Sequence, residues 1–270
     1  MRYERIPLSE KDKNVFLEAY ISDSVEGLKR KALLVCPGGA YAGICNDREG
    51  EPIALAFLPY GFNAFVLHYS IGGEDRVYPI QLREVALAMK HIKDNSDSYG
   101  IDPDLLFTVG FSAGGHLAAS SGVFWKRAEV TDGLDIPYGY NKPTGVMPIY
   151  PVVNPDGHRF SFTMLLGNPE PDQELLDYTS VDQHVDADSV PAFIMHTFED
   201  QAVDVRNALS LATAYANAGV QFELHIYPNG PHGMALANHI TDMGNQAYND
   251  PIIAEWVRLA AAWTDKISKK

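Results

Sequence analysis

The chain has 270 residues, is 46% hydrophobic and carries a formal net charge of −14. That apolar fraction supports a packed core and excludes a disordered chain. So strong an acidic balance repels phosphate backbones and anionic membrane surfaces, so neither nucleic acid nor membrane is an expected partner.

Met1-Arg2-Tyr3-Glu4-Arg5 has no apolar run of signal-peptide type, and no stretch approaches the roughly 18 apolar residues of a membrane span. The two cysteines, Cys36 and Cys45, are too few for a disulfide framework. The expectation is a soluble, cytoplasmic chain. A homodimer is the reasonable prior for its assembly.

Residues 1–30 show short β-type alternation, clearest over 15–21, and predict antiparallel strands at a sheet edge. The continuous apolar run 31–36 predicts a strand buried on both faces. A helix is expected over 51–58, closing before Gly61, and a strand over 62–69. Pro79 then opens an amphipathic helix with Leu82, Val85, Ala86, Met89 and Ile92 on one face. A strand is expected at 105–110, with a helix after Ser112. Residues 126–144 read as a surface loop and 146–153 as a strand. Residues 154–189, rich in Asn, Asp, Pro and Gly, read as an insertion forming a lid or pocket wall. A strand at 192–197 follows. Asp204 is placed to cap a helix that buries Val205, Ala208, Leu209, Ala212 and Tyr215, with Gly219 ending it. The last strand is expected at 222–227. Asn249 or Asp250 would cap a final helix, with Pro251 in its first turn, burying Ile253, Trp256, Leu259, Ala260 and Trp263.

Strands alternating with helices over the whole length predict one α/β domain, 1–270, with a mostly parallel sheet covered on both faces. In such sheets ligands bind beyond the carboxyl ends of the strands. The loops after 31–36, 105–110, 192–197 and 222–227 should therefore gather at one edge.

At that edge Gly110-Phe111-Ser112-Ala113-Gly114 sits between a buried strand and a helix, the context of a nucleophile elbow. The pentapeptide alone is a weak signal, since small residues cluster in many tight turns. A serine hydroxyl needs a base, and the base needs an orienting acid. His232 in Pro228-Asn229-Gly230-Pro231-His232-Gly233 is the candidate base, against the plainer reading of a solvated loop histidine. Asp200 is the candidate acid, with its neighbour Glu199 as the alternative and Asp204 as a third. The order Ser, Asp, His is that of an α/β-hydrolase sheet. Gly39, Ala40 and Ala113 are the candidate oxyanion-hole donors through their backbone N–H groups. Tyr41 is a candidate for the acyl pocket. His116 is expected to pack or hydrogen-bond rather than act as a second base. Asp182, His184, Asp186 and Asp188 look like a metal cluster, yet their alternation suits a solvated loop. No metal and no cofactor is expected.

Taken together, Pro37-Gly38-Gly39-Ala40-Tyr41, Gly110-Phe111-Ser112-Ala113-Gly114-Gly115-His116, Ile149-Tyr150-Pro151-Val152, His196-Thr197-x-x-Asp200-x-x-Val203 and His232-Gly233 resemble the α/β-hydrolase serine esterases. The resemblance is to their carboxylesterase and acetyl-xylan-esterase-like (BD-FAE-like) branch, and it covers about residues 30–265. Two departures stand out. Pro37 occupies a place where that branch often has histidine, which removes one hydrogen bond steadying the oxyanion loop. Asp204 stands where the acid loop often has proline. The resemblance implies hydrolysis of short acyl esters, sometimes on sugars, with a small-molecule ester as partner. The alternatives are a peptidase or amidase on the same fold, and a non-catalytic binding protein built on it.

Overall fold

In the computed structural model, which describes residues 1–10, 12–23, 27–73 and 75–269, one sheet of eight strands runs through the molecule. The strands are β1 (Arg2–Pro7), β2 (Phe16–Ile21), β3 (Arg30–Cys36), β4 (Phe62–His68), β5 (Ile101–Phe111), β6 (Gly145–Ile149), β7 (Ala192–Thr197) and β8 (Phe222–Tyr227). Their spatial order is β1-β2-β4-β3-β5-β6-β7-β8. β1 pairs antiparallel with β2, and β2 with β4; every other pairing is parallel. The antiparallel edge expected within residues 1–30 is therefore present, although Lys11 and residues 24–26 of that stretch lie outside the described residues.

Period-two alternation in the central strands divides the core into two layers. Ala32, Leu34 and Cys36 of β3 face one side and Leu33 and Val35 the other; Phe65 and Leu67 of β4 oppose Ala64 and Val66 in the same way. Ten helices are described: α1 (Asn46–Glu49), α2 (Glu51–Phe57), α3 (Ile80–Asp94), α4 (Ser96–Tyr99), α5 (Ala113–Val123), α6 (Ala128–Thr131), α7 (Arg159–Leu166), α8 (Gln173–Thr179), α9 (Arg206–Ala218) and α10 (Trp256–Ile267). α3, α5 and α9 cover the first face, and α2 and α10 cover the second. Each fully buried Leu, Ile or Phe in these layers contributes about 1.5–3 kcal/mol. Among the described residues no helix is long and apolar enough to cross a membrane.

Several boundaries differ from the sequence expectations. β5 begins at Ile101 rather than 105, because Arg30 of β3 pairs with Ile101 across a register shift. β6 ends at Ile149, since Tyr150 turns to φ +36 and leaves the sheet. The 126–144 stretch contains the single turn α6, and the 154–189 insertion contains α7 and α8. Helix α9 starts after Asp204, whose Oδ1 accepts from the Arg206 N–H at 2.8 Å; its inner face takes Leu211, while Leu209 is 44% exposed. Before α10, Asp250 accepts from the Ile252 and Ile253 N–H groups ahead of a 3₁₀ turn at Ile253–Glu255.

Candidate active site

The elbow is built by close packing of backbone. A Cβ on Gly110 would lie 1.9 Å from the Gly114 carbonyl oxygen, and one on Gly114 would lie 2.1 Å from that of Cys36. Only glycine lets β5 and α5 approach so closely to each other and to the end of β3. Ser112 sits between them at φ +53, ψ −118, a strained conformation for a residue with a side chain. Its backbone is pinned from both directions. Its N–H donates to Ile149 O at 3.1 Å, and its carbonyl accepts from Val152 N at 3.0 Å and His116 N at 3.1 Å.

The loops after β7 and β8 bring two further groups to this point. His232 Nε2 lies 2.8 Å from Ser112 Oγ, which donates to it, and His232 Nδ1 donates to Asp200 Oδ2 at 2.6 Å. Asp200 Oδ1 accepts from the Ala202 and Val203 N–H groups, each at 2.9 Å. Burial pushes the Asp200 carboxyl upward, but the His232 hydrogen bond and charge and the Val203 N–H outweigh it and hold the acid below its ordinary range. Glu199 faces solvent next door, and Asp204 is engaged with Arg206.

The loop after β3 curls under Ser112. Gly39, Ala40 and Tyr41 have φ of +133, +56 and +58. A Cβ on Gly39 would meet the Gly43 carbonyl oxygen at 2.2 Å. The Gly39 carbonyl accepts from Ala42 N and Gly43 N. The N–H groups of Gly39, Ala40 and Ala113 take no acceptor among the described residues, so all three remain free for a ligand. The missing histidine at Pro37 is made good otherwise. The Tyr69 hydroxyl donates to Pro37 O at 2.7 Å, and Gly38 N donates to Glu49 Oε2 at 2.8 Å.

Glu49 is a residue that sequence reasoning passed over. It is 2% exposed, and its second oxygen accepts from the Tyr150 hydroxyl at 3.0 Å. Burial raises its carboxyl above the ordinary value, with Arg48, the Gly38 N–H, the Tyr150 hydroxyl and His232 opposing in part. Tyr150 also accepts from Ala235 N at 3.0 Å and lays its ring edge-on to His232, centroids 5.2 Å apart. The available signal was Ile149-Tyr150-Pro151-Val152, read only as a strand; nothing in the sequence around Glu49 marks it.

Tyr41 does not line the cleft. It is 1% exposed, and its hydroxyl donates to His116 Nδ1 at 2.8 Å, while His116 Nε2 donates to Thr179 O at 2.9 Å. His116 is thereby a buried strut between the loop after β3 and α8. The acidic stretch of the insertion separates into ordinary contacts. Asp186 and Asp188 pair with Lys126, Asp182 accepts from Asn154, and His184 donates to Asp177 O. No group of ligands fit to hold a metal ion occurs among the described residues.

A cleft of about 180 Å³ opens over Ser112, bounded by Gly39, Ala40, Ala202 and His232. Cys45, Arg48, Glu49 and His158 complete its wall. Two larger hollows beside Ser210 on α9 hold no serine–histidine pair. Drug-sized ligands occupy clefts of roughly 300–1,000 Å³, so this one admits only a small group.

The BD-FAE family model matches residues 17–215, well over half the chain. The chain belongs to the BD-FAE family. Ser112 and Asp200 fall inside the matched region, and His232 lies beyond it. A Butyrivibrio fibrisolvens protein named endo-1,4-beta-xylanase B is 35% identical over 228 residues, 82% of this chain and 35% of that protein. An acetylxylan esterase of Xylanibacter ruminicola is 28% identical over 228 residues, 80% of this chain and 45% of that protein. This BD-FAE chain thus spans less than half the length of either relative. The crystal structure of an acetyl ester-xyloside bifunctional hydrolase from Caldicellulosiruptor lactoaceticus superposes with a TM-score of 0.83 at 31% identity, covering 99% of this chain and 97% of that one. The BD-FAE fold seen here is that of the α/β-hydrolase esterases.

Proposed function

We propose that this chain hydrolyses short-chain carboxylic esters, acetylated sugars among them, through an acyl-enzyme on Ser112. The observation that carries this reading is the unbroken chain of contacts from Asp200 to His232 to Ser112, at 2.6 and 2.8 Å. The names of the relatives, an acetylxylan esterase and an acetyl ester-xyloside hydrolase, support the substrate class.

Ser112 Oγ attacks the ester carbonyl carbon while His232 Nε2 takes its proton. The carbonyl oxygen becomes an oxyanion facing the N–H groups of Gly39, Ala40 and Ala113 at the start of α5, where the helix dipole adds to their effect. Collapse of the tetrahedral intermediate breaks the carbon–oxygen bond to the alcohol, which leaves with the proton from His232. Water then attacks the acyl carbon with His232 again as base, releasing the acid and restoring the Ser112 hydroxyl. Asp200 holds the imidazole in the tautomer that leaves Nε2 as acceptor, and steadies the imidazolium while it exists.

Ser112→Ala is expected to lower kcat on p-nitrophenyl acetate by on the order of 10⁶. A fluorophosphonate should label wild type at Ser112 and leave the variant unlabelled. Wild-type turnover by Ser112→Ala would overturn the reading.

A further inference from the structure

The cleft over Ser112 holds donors that the acyl-transfer steps leave idle. A guanidinium carries five N–H donors. Arg48 spends one at 3.1 Å on Met243 Sδ and one at 3.5 Å on Cys45 Sγ, and sulfur is a weak acceptor. Its Nε is buried with no hydrogen-bond partner; the nearest Glu49 oxygen stands 3.8 Å away, within ion-pair range but beyond hydrogen-bond reach. Both Glu49 oxygens are already committed to Gly38 and Tyr150. The guanidinium also borders the base loop, since a Cβ on Gly233 would lie 3.9 Å from its Cζ. The terminal N–H groups spent on sulfur are only weakly satisfied, and a ligand oxygen would pair better with them.

A second idle group lies across the nucleophile. The sheet order β3-β5-β6 puts the segment after β3, whose helix α1 carries Arg48, and the insertion after β6, which carries His158, on opposite sides of the elbow. His158 lines the same cleft and pairs through Nδ1 with Ser161 Oγ at 2.9 Å, leaving Nε2 for a ligand. Burial and the neighbouring His232 hold its pKa below the ordinary value, with Asp200 opposing.

The surroundings choose among oxygen ligands. A substrate carboxylate at Arg48 would approach the buried Glu49 in a chain of net charge −14. Hydroxyl oxygens meet the same donors without bringing charge, and a ring bearing several of them can reach both walls. We propose that Arg48 and His158 are specificity-determining residues that hydrogen-bond hydroxyls of a polyol alcohol, a sugar ring, from opposite sides of Ser112. The inference rests on the ester-hydrolase reading of this cleft.

The test compares kcat/KM for a monoacetylated methyl glycoside with that for p-nitrophenyl acetate, whose alcohol carries no further hydroxyl. In Arg48→Met and in His158→Ala the ratio of the two is expected to fall about tenfold or more, with KM for the glycoside carrying the loss, and Arg48→Lys should recover part of it. A ratio unchanged in both variants overturns the proposal. Should Arg48→Met lose its fold by circular dichroism, His158→Ala decides alone. If wild type cleaves p-nitrophenyl acetate but not the glycoside, the proposal fails and the ester-hydrolase reading stands. If it cleaves neither, both fail.

Discussion

The hydroxyl of Tyr150 donates to Glu49 Oε1 across 101 residues of chain, and this contact ties the segment after β3 to the loop that carries His232. On one side Glu49 holds Gly38 N; on the other, Tyr150 holds Ala235 N and braces the His232 ring. The brace is made possible by the departure of Tyr150 from β6 at φ +36.

Tyr150→Phe removes that hydroxyl and leaves a buried carboxylate oxygen and a buried N–H unpaired. The expected cost is about 1–3 kcal/mol in urea unfolding. Turnover should fall roughly 10- to 100-fold as the base loosens, while Ser112 still reacts slowly with a fluorophosphonate. Full turnover together with unchanged stability would show that the tie is idle.

Asp200 and Glu199 are neighbours with opposite fates. Asp200→Asn should lower kcat by on the order of 10⁴, because the amide favours the wrong imidazole tautomer. Glu199→Gln, on an exposed side chain, should change it less than twofold. Steady-state rates on p-nitrophenyl acetate separate the two, and a reversed ranking would move the acid to position 199.

Gly114→Ala would press a methyl group within 2.1 Å of Cys36 O and 2.4 Å of Pro37 O. Both obstacles are backbone, so neither can swing aside. The variant is expected to be insoluble, or destabilised by several kcal/mol in a urea melt. Gly219→Ala provides the contrast: its Cβ meets nothing within 4 Å, so only the left-handed backbone conformation at φ +69 resists.

Two buried groups give the stability opposite slopes with pH. Glu84 is bonded to the Ser70 N–H and hydroxyl, yet burial raises its carboxyl from 4.5 to about 7. Between those values the fold keeps a proton that the unfolded chain has released, so its contribution is complete below 4.5 and is lost as pH rises through 7. Burial lowers His116 from 6.5 to about 4, against the Thr179 carbonyl. Its contribution is complete above 6.5 and is lost as pH falls toward 4. Each effect is on the order of a few kcal/mol, and they offset between about 4.5 and 6.5. Glu84→Gln should therefore expose a stability that climbs with pH across this window in urea titrations. A variant that tracked wild type throughout would exclude Glu84 as the opposing group.

What the chain disclosed about itself followed the range of the contacts involved. Ser112 was legible because strand, small-residue turn and helix are neighbours in sequence. Asp200 could not be separated from Glu199, since only packing decides which of two adjacent carboxylates turns inward. Tyr41 was misplaced because the chain turns at Ala40 and Tyr41 in left-handed conformations, taking the ring down to His116 rather than out to substrate. Helices α7 and α8 were missed because few positions, among them Phe162, Leu165 and Leu176, are buried, too few for a clear period. Glu49, Arg48 and His158 owe their surroundings to residues far along the chain, which no local pattern announces.

All eleven residues of α5 are buried, and Gly114 and Gly115 at its start lie against main chain. The hydroxyl it presents is thus mounted on the least editable piece of the molecule. On the reading proposed above, adaptation to a different ester, by selection or by design, falls to α1, which carries Arg48, and to the insertion carrying His158.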